Sequence, residues 1–527
     1  MSSMQPAWWQ KAVIYQIYPR SFQDSNGDGI GDLEGIILRL DYLVELGIDA
    51  VWISPIFSSP MADFGYDVVN YTDIDPVFGD LVTFDRLLAE MHRRNLKIIL
   101  DYVPNHSSDQ HPWFLDSRSS RQSAKRDWYI WRDGKAGGGP PSNWISEFGG
   151  SAWQWGERTA QFYYHAFLPQ QPDLNWRNPD VVAAMLDVMR FWFDRGVDGF
   201  RVDAIHYLYE DVALRDNPTD PQWKEGMSPA RRLLRSHTIE QPEVHKAVAA
   251  MRAVANAYPG DRLLIGEAYL PIDRLVAYYG ADLSGFQLPF NFHLISTPWK
   301  PKPVRDLVET YEAKLPPGGW PNWVLGNHDQ PRLASRIGGA QARVAGMLML
   351  TLRGTPTIYQ GEEIAMTDVP IPRERLRDCW ELNVPGLGLG RDPERTPMQW
   401  DASPHAGFSP TQPWLPVASD YRSVNVAAQS ADRKSMLALY RALISLRRSE
   451  PALSIGSYQT VVVTDRVLIY ERRHQARVLR IALNMSNENA EVELHGRILI
   501  STTREREGEQ VRGRMKLGAD EGLIIGL

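Results

Sequence analysis

Three acidic residues stand where three separate apolar runs end. Asp203 closes the run GFRVD, Glu267 closes LLIGE, and Asp329 follows WVLGNH. Hydrolysis of a glycosidic bond uses two facing carboxyl groups, one as nucleophile or base and the other as proton donor. Alternate residues of a strand share one face, so Arg201 would lie beside Asp203 and favour its ionised, nucleophilic form. From spacing alone, a structural ion pair of Arg201 and Asp203 explains the pattern as well as a catalytic role does. Glu267 alone could equally be a solvated residue at a strand end.

Two histidines lie beside carboxylates at further strand ends. His106 belongs to DYVPNH, which begins with Asp101, and His328 directly precedes Asp329. Such clusters bind either a metal ion or a polyhydroxylated ligand. Helical metal ligands recur at i and i+4, as in H-E-x-x-H, and this pattern is absent. The sequence also lacks a G-x-S-x-G elbow, and no base can be placed near Cys379, so a sugar ligand and no catalytic cofactor are favoured.

The loop DSNGDGIGD, residues 24–32, is a candidate cation site. Oxygen donors recur there at every second residue, as they do in Ca²⁺-binding loops. The donors are Asp24, Asn26, Asp28, the Ile30 carbonyl and Asp32. An EF-hand would carry Glu at the twelfth position, which is Gly35 here, and no flanking helix pattern is present. The spacing favours a small structural Ca²⁺ (or Mg²⁺) site over its alternative, a solvated polar turn.

Eight β-type runs that alternate with helical patterns must position these side chains. The strand candidates are 13–18, 50–55, 97–103, 199–203, 263–267, 286–292, 323–329 and 356–361. Helical spacing covers 33–46, 83–94, 179–195, 242–257, 304–313, 340–352 and 434–448, and is weakest after the fifth strand. Eight alternations are typical of an α/β protein with a closed (β/α)8 TIM barrel. Its rim would bring Asp203, Glu267 and Asp329 together.

The chain is longer than a plain barrel, so the surplus must lie in insertions. We predict the barrel over 1–106 and 177–451, with an inserted subdomain at 107–176 after the third strand. Further loop insertions are expected at 204–241 and 362–432. All three follow the carboxyl ends of strands, where barrel enzymes build their active sites. Short strand patterns such as RVLIYERR and GLIIGL predict a C-terminal antiparallel β domain, a β-sandwich, at 452–527.

Composition narrows the class of partner. The 527 residues carry 57 Lys and Arg against 64 Asp and Glu, a net charge of −7, which argues against nucleic-acid binding. No window approaches the roughly 18 uninterrupted apolar residues of a membrane span, and the N-terminus lacks a secretory pattern. A single cysteine fits a reducing, cytoplasmic location. We expect small-molecule partners only, and an oligomeric state that stays open between monomer and weak dimer.

Several short motifs, in order along the chain, resemble those of the α-amylase superfamily, glycoside hydrolase family 13. They are DYVPNH (101–106), GFRVDA (199–204), GEAY (266–269) and GNHDQ (326–330). The segment QPDLN (171–175) and the loop 24–32 are most similar to the α-glucosidase and oligo-1,6-glucosidase branch. The resemblance covers nearly the whole chain.

The resemblance implies a role for each matching residue. Asp203 would be the nucleophile, Glu267 the acid/base, and Asp329 the residue that stabilises the transition state. The terminal glucose would be bound by Tyr66, His106, Arg201 and His328. Asp63 would hold its 4-hydroxyl, paired with Arg395 of the segment RTPMQW. Phe167 would either line the entrance or have an ordinary packing role.

The implied activity is that of an exo-acting, retaining α-glucosidase. It would release α-glucose from the non-reducing end of short α-glucosides through a covalent β-glucosyl–Asp203 intermediate, with possible transglucosylation. Ala204 favours α-1,4 linkages, because related enzymes with α-1,6 activity carry Val at this position. Oligo-1,6-glucosidase, trehalose synthase and sucrose isomerase activities remain alternatives. A non-enzymatic transporter subunit of this fold is disfavoured, because all three carboxylates are present and a membrane span is not predicted.

Overall fold

The computed structural model describes residues 5–527, so the first four residues of the predicted barrel segment lie outside it. Eight parallel strands form one sheet: β1 (Ile14–Ile17), β2 (Ala50–Ile53), β3 (Lys97–Tyr102), β4 (Gly199–Val202), β5 (Leu263–Gly266), β6 (Leu288–Pro289), β7 (Asn322–Val324) and β8 (Thr355–Tyr359). Their order is β6-β5-β4-β3-β2-β1-β8-β7, so among the described residues only β6 and β7 lack a shared ladder. The predicted (β/α)8 barrel is confirmed.

Apolar side chains of the strands fill the barrel interior. Ile14, Trp52 and Ile265 are buried inside it, whereas the alternate residues Tyr15 and Val51 pack outward against the helices. This alternation follows from the two-residue period of a strand. Because the interior is a packed core, polar groups that act on a ligand can gather only at its ends.

Helices cover the outside of the barrel: α1 (Leu33–Leu38), α2 (Leu40–Leu46), α3 (Leu81–Arg93), α4 (Pro179–Arg195), α5 (Val244–Asn256), α6 (Pro301–Lys314), α7 (Gly339–Thr351) and α8 (Met436–Ser449). Helix α4 shows why they begin and end where they do. The Asn178 side chain accepts from the backbone N–H of Asp180, Pro179 occupies the first helical position, and Gly196 ends the helix at φ 108°. The weak pattern after β5 corresponds to only a short helix, Ile272–Leu275, and a 3₁₀ turn, Val276–Tyr279.

The segment between β3 and α4, where we predict the inserted subdomain, has secondary structure of its own. It contains the helix Pro112–Ser117 and a three-stranded antiparallel sheet of Trp131–Arg132, Trp153–Gly156 and Gln161–Tyr164. A β-bridge between His106 and Asp173 joins its two ends at the barrel rim. The insertion therefore stands directly above the carboxyl end of β3. No helix in residues 5–527 is both long and apolar enough to cross a membrane.

The predicted C-terminal antiparallel sheet is confirmed, and its description as a β-sandwich stays a prediction. Six strands, β9 (Ser457–Val463), β10 (Val467–His474), β11 (Arg477–Asn484), β12 (Ala490–Ser501), β13 (Gln510–Leu517) and β14 (Gly522–Gly526), share one sheet in the order β9-β10-β11-β14-β12-β13. A register shift between Ile498 and Ile500 bends β12, as β-bulges do. Alternate side chains of its strands belong to two buried apolar clusters, one with Ile469 and Ala482 and one with Leu468 and Tyr470. Charged residues interrupt the apolar pattern of β13 (QVRGRMKL), so the sequence does not predict this strand.

Candidate active site

Asp203, Glu267 and Asp101 converge on the guanidinium of Arg201 at the barrel rim. Arg201 Nη1 donates to Asp203 Oδ1 at 2.6 Å and to Asp101 Oδ1 at 2.7 Å. Its Nη2 lies 2.8 Å from Glu267 Oε2. These side chains come from the ends of β3, β4 and β5, which are neighbours in the sheet. One guanidinium thus holds the two predicted catalytic carboxyls side by side, and a short carboxyl spacing is typical of retaining glycosidases.

Negative charge exceeds positive charge in this buried cluster. Burial raises the pKa of Asp203 well above its usual range, Arg201 opposes the shift, and the carboxylates of Glu267 and Asp101 add to it. Burial also raises the pKa of Asp101 to about 7, again against Arg201. Interacting groups titrate together, so a proton in this cluster belongs to the group of carboxyls as a whole. A cluster that retains a proton near neutral pH can supply the acid that bond cleavage requires.

The residue after Asp203 positions Glu267. Ala204 has a left-handed backbone with φ 45° and ψ 34°, and its N–H donates to Glu267 Oε2 at 2.9 Å. Such a conformation in a non-glycine residue costs on the order of 1–3 kcal/mol and is concentrated at functional sites. The Ala204 side chain is buried in a cluster that includes Tyr207 and Trp144. This turn therefore links the end of β4 to the acid on β5.

Asp329 faces two arginines of the 362–432 insertion. Arg395 Nη2 lies 2.7 Å and Arg391 Nη1 3.2 Å from Asp329 Oδ1. Burial alone would raise the pKa of Asp329, but the positive charges of Arg391 and Arg395 help to hold it well below its usual range. Asp329 is consequently an ionised acceptor at every physiological pH. It can accept hydrogen bonds from sugar hydroxyls but cannot serve as the proton donor.

Uncharged rings form the wall between these acids. The Tyr66 ring stacks on His328 at a centroid distance of 5.6 Å, and its hydroxyl lies 2.6 Å from His328 Nε2. Burial lowers the pKa of His328 well below its usual value and that of His106 to about 3. Both imidazoles are therefore neutral at neutral pH. They can hydrogen-bond a neutral, polyhydroxylated ligand without adding charge to the site.

The predicted pairing of Asp63 with Arg395 is wrong. Asp63 pairs with Arg391, whose Nη2 lies 2.7 Å from Asp63 Oδ1, while Arg395 binds Asp329 and the His328 carbonyl. The two arginines are four residues apart in RDPER and are separated by a 3₁₀ turn at Pro393–Arg395; both reach Asp329, but only Arg391 also pairs with Asp63. Asp378 also binds Arg391, at 2.6 Å from Nε. Arg391 thus links Asp63 to Asp329 across the closed end of the site.

Cys379 lies in the same corner but stays unreactive. Its Sγ is 3.6 Å from Asp63 Oδ1, a carboxylate that the sequence could not place there. Burial and the nearby negative charge of Asp63 raise the pKa of the Cys379 thiol far above its ordinary value. Because the thiolate is the nucleophilic form, this surrounding suppresses covalent chemistry at Cys379.

Phe167 packs among aromatic rings from two insertions and from the end of β3. It is 5.2 Å from His106, 5.1 Å from Tyr207 and 5.8 Å from Phe148, measured between ring centroids. Phe148 in turn contacts Trp380 of the helix Cys379–Asn383 at 5.5 Å. The inserted subdomain and the 362–432 segment therefore contact each other here, and the structure shows a packing role for Phe167, while its position at the entrance stays a prediction.

Two polar residues of the site were not among the predicted binding residues. Arg391 stands outside the recognised RTPMQW segment, and the insertion that carries it shows no strand or helix period. Gln171 was noted only as part of QPDLN, yet its Nε2 donates to Asp63 Oδ2 at 3.2 Å and lies 3.1 Å from His106 Nε2. An Arg beside a recognised motif was the one signal that could have indicated Arg391.

Arg391 and Asp63 are expected to act as one unit. Arg391→Ala should raise the KM for a terminal glucosyl substrate and lower kcat/KM by roughly 10²-fold or more, because truncation of a buried charge pair costs several kcal/mol. Steady-state kinetics of Arg391→Ala, Asp63→Asn and the double variant provide the check. The double variant should lose little more than either single one. Fully additive losses would show that the two side chains act independently.

The loop 24–32 carries the oxygen donors typical of a site for a hard cation such as Ca²⁺, but many of these oxygens accept hydrogen bonds from within the loop. Asp24 accepts from the backbone N–H groups of Asn26, Gly27 and Gly29, and Asp32 accepts from Ser25. Asn26 and Asp28 each accept from the N–H two residues on. In residues 5–527, no three acidic, His or Cys side chains are grouped as a metal site. The donor types fit Ca²⁺, whereas the hydrogen bonds alone already curl the loop.

Comparisons with known proteins agree with this geometry. Residues 16–456 match the family model for the α-amylase catalytic domain. A probable α-glucosidase of Rhizobium meliloti (strain 1021) is 43% identical over 92% of this chain and 91% of its own. An oligo-1,6-glucosidase of Parageobacillus thermoglucosidasius is 39% identical over 95% and 94%. The crystal structure of an α-glucosyl transfer enzyme superposes with a TM-score of 0.93 at 40% identity, covering 99% of this chain and all of that one. The chain therefore belongs to the α-amylase family of glycoside hydrolases, family 13.

Proposed function

We propose that the protein is an exo-acting, retaining α-glucosidase that releases α-glucose from the non-reducing end of short α-glucosides. The observation that carries this proposal is the joint position of two features. Arg201 holds Asp203 and Glu267 side by side, and the Asp63–Arg391 pair closes the site beyond them. A charged pair that blocks the far end of the site would restrict binding to one terminal glucosyl unit.

The reaction proceeds in two displacements at C1 of that glucosyl unit. Asp203 attacks C1 while Glu267 donates its proton to the glycosidic oxygen, so the C1–O bond breaks and a β-glucosyl ester of Asp203 forms. Glu267, now a carboxylate, takes a proton from water, whose oxygen attacks C1 and releases Asp203. Two inversions give α-glucose. Asp329 is ionised and positioned to bind the ring hydroxyls as positive charge develops at C1.

Proton NMR of maltose hydrolysis in real time tests this function. Glucose released from the non-reducing unit should appear as the α-anomer, while the reducing unit of maltose contributes both anomers in its own equilibrium ratio. β-Glucose beyond that contribution before mutarotation would contradict retention, and early maltose from maltotetraose without a matching amount of glucose would contradict exo action. New linkage signals at high maltose concentration would report glucosyl transfer. This second candidate activity is favoured by the similarity to the α-glucosyl transfer enzyme that is 40% identical to this chain.

Ala204 bears on linkage preference. It is buried and packs near Tyr207 and Trp144, so a larger side chain must shift the acceptor side of the site. We expect Ala204→Val to raise the ratio of isomaltose to maltose hydrolysis several-fold. Initial rates with both disaccharides measure this ratio. Ala204→Ser is the size-matched control and should keep the wild-type preference; an unchanged ratio in Ala204→Val would contradict the linkage argument.

We also propose that the loop 24–32 binds a structural Ca²⁺ (or Mg²⁺). A cation present at 100 times its Kd would stabilise the folded protein by about 2.7 kcal/mol. Removal of divalent cations with EDTA should therefore lower the melting temperature by several degrees, and Ca²⁺ should restore it. Asp28→Ala should abolish this dependence, whereas Asp420→Ala, at another exposed acidic site, should not. A melting temperature indifferent to EDTA would contradict the cation.

The proposed physiological setting rests on the sequence. We propose a cytoplasmic protein, monomeric or weakly dimeric, whose partners are small α-glucosides, because the chain has a single cysteine and a net charge of −7. Cell fractionation and light scattering of the purified protein test location and oligomeric state.

A further inference from the structure

The inserted subdomain carries a second concave surface, which we name the subdomain groove. Its volume is about 430 Å³, within the range of roughly 300–1,000 Å³ found for small-molecule sites. Gln170 lines the groove, while the next residue, Gln171, contacts Asp63 and His106 in the catalytic pocket. The two sites are therefore separate but share one backbone segment.

Aromatic rings line one side of the subdomain groove. Trp131 is buried, and the Arg126 guanidinium lies over its ring, 3.7 Å from the ring centroid. A side chain at Gly156 would come within 2.8 Å of the Trp131 ring, so the strand can pass this close only as glycine. Trp155 is 39% exposed, the only Trp in residues 5–527 among the exposed large hydrophobic side chains. Phe162 contacts it at 5.0 Å and 64°, which fixes the indole without stacking over it.

Unpaired polar groups surround these rings. In the part of the chain that the structure describes, the side chains of Asp109, Arg118, Glu157 and Arg158 form no hydrogen bond or ion pair, although all four line the groove. Two carry negative and two positive charge, so the rim favours neither anions nor cations. A neutral ligand with many hydroxyl groups can satisfy donors and acceptors of both kinds while its apolar face packs on an aromatic ring.

We propose that the subdomain groove is a second carbohydrate-binding site, which takes a glucosyl oligosaccharide by stacking on Trp155 and hydrogen bonding to the charged rim. The choice of sugar rests on the proposed function, because both sites then meet the same substrates. Binding there would hold an oligosaccharide close to the catalytic entrance without contact with the three catalytic carboxyls.

Calorimetric titration of a hydrolysis-deficient protein tests the proposal. Glu267→Gln, titrated with maltotriose, should bind two equivalents, one in each site. Glu267→Gln/Trp155→Ala should keep one and bind the other about tenfold more weakly or not at all, since one lost stacking contact is worth roughly 1.4 kcal/mol. Glu267→Gln/Trp155→Phe should retain both. Phe191→Ala, which removes a partly buried ring from α4, is the matched control and should leave both sites unchanged.

Three results would overturn the proposal: a single equivalent in Glu267→Gln, two unchanged equivalents after Trp155→Ala, or loss of both equivalents in that variant. Trp155→Ala in the otherwise native enzyme should keep wild-type kcat on maltose, which shows that the fold is intact. Failure of the proposed function is a separate result, because it would appear as wild-type enzyme that leaves maltose untouched.

Discussion

Asp203→Ala is expected to lower kcat on α-glucosides by roughly 10⁴–10⁶-fold, the range seen when a catalytic nucleophile is removed. Without its carboxylate, C1 has no attacking group on the side facing Arg201, and the covalent intermediate cannot form. The fold should survive, because Arg201 keeps Asp101 at 2.7 Å and Glu267 at 2.8 Å. Rate measurements with an aryl α-glucoside, together with thermal unfolding, provide the test.

Azide supplies a control for the role of Asp203. A small anion can enter the space left by the missing carboxylate and attack C1 once, with inversion. Asp203→Ala should therefore regain part of its activity in azide and form β-glucosyl azide. Formation of α-glucosyl azide would contradict the assignment of Asp203 as the nucleophile. A variant that is inactive and also unfolded would mean that Asp203 has a structural role.

Glu267→Gln should lower kcat on maltose by roughly 10²–10⁴-fold, the usual contribution of a positioned acid and base. The amide cannot protonate the departing sugar, although it can still accept the Ala204 N–H that holds Glu267 at 2.9 Å. An activated aryl glucoside needs no such proton, so its first step should be affected far less. The ester on Asp203 should then accumulate, because water lacks its base.

Rapid-quench kinetics and intact-protein mass spectrometry check this second prediction. Glu267→Gln should show a burst of aryl alcohol and a protein heavier by one glucosyl group. Azide should rescue turnover through the ester and give α-glucosyl azide, the opposite anomer to that of Asp203→Ala. Equal losses with maltose and the activated substrate would contradict the assignment of Glu267 as proton donor.

Residues on regular elements were predictable from the sequence. Asp203 and Glu267 end short apolar strands, and parallel strands carry their carboxyl ends to one rim, so their meeting follows from the barrel. Arg391 was not predictable in this way. It lies in an insertion without a repeating pattern, and it pairs with Asp63 across 328 residues. A 3₁₀ turn decides which of the two arginines, Arg391 or Arg395, reaches Asp63, and the spacing of residues in the sequence does not reveal that turn.

The C-terminal domain shows a similar limit. Its strands with regular apolar alternation were predicted, whereas β13 was not. The pairing of β12 with β14 includes a register shift between Ile498 and Ile500, and such a shift has no composition signal in this segment. Local pattern predicts strands well, but the number of sheets they form depends on long-range pairing.

The Asp63–Arg391 contact has a consequence for synthesis on the ribosome. All three catalytic carboxyls have been translated by residue 329, yet the closed end of the pocket needs a residue 62 positions later. β1 likewise finds its neighbour β8 only when residues 355–359 emerge. A nascent chain that already carries the complete catalytic set therefore still lacks the partner of Asp63 and the strand that pairs with β1. We expect full activity only after the first and last parts of the barrel have met.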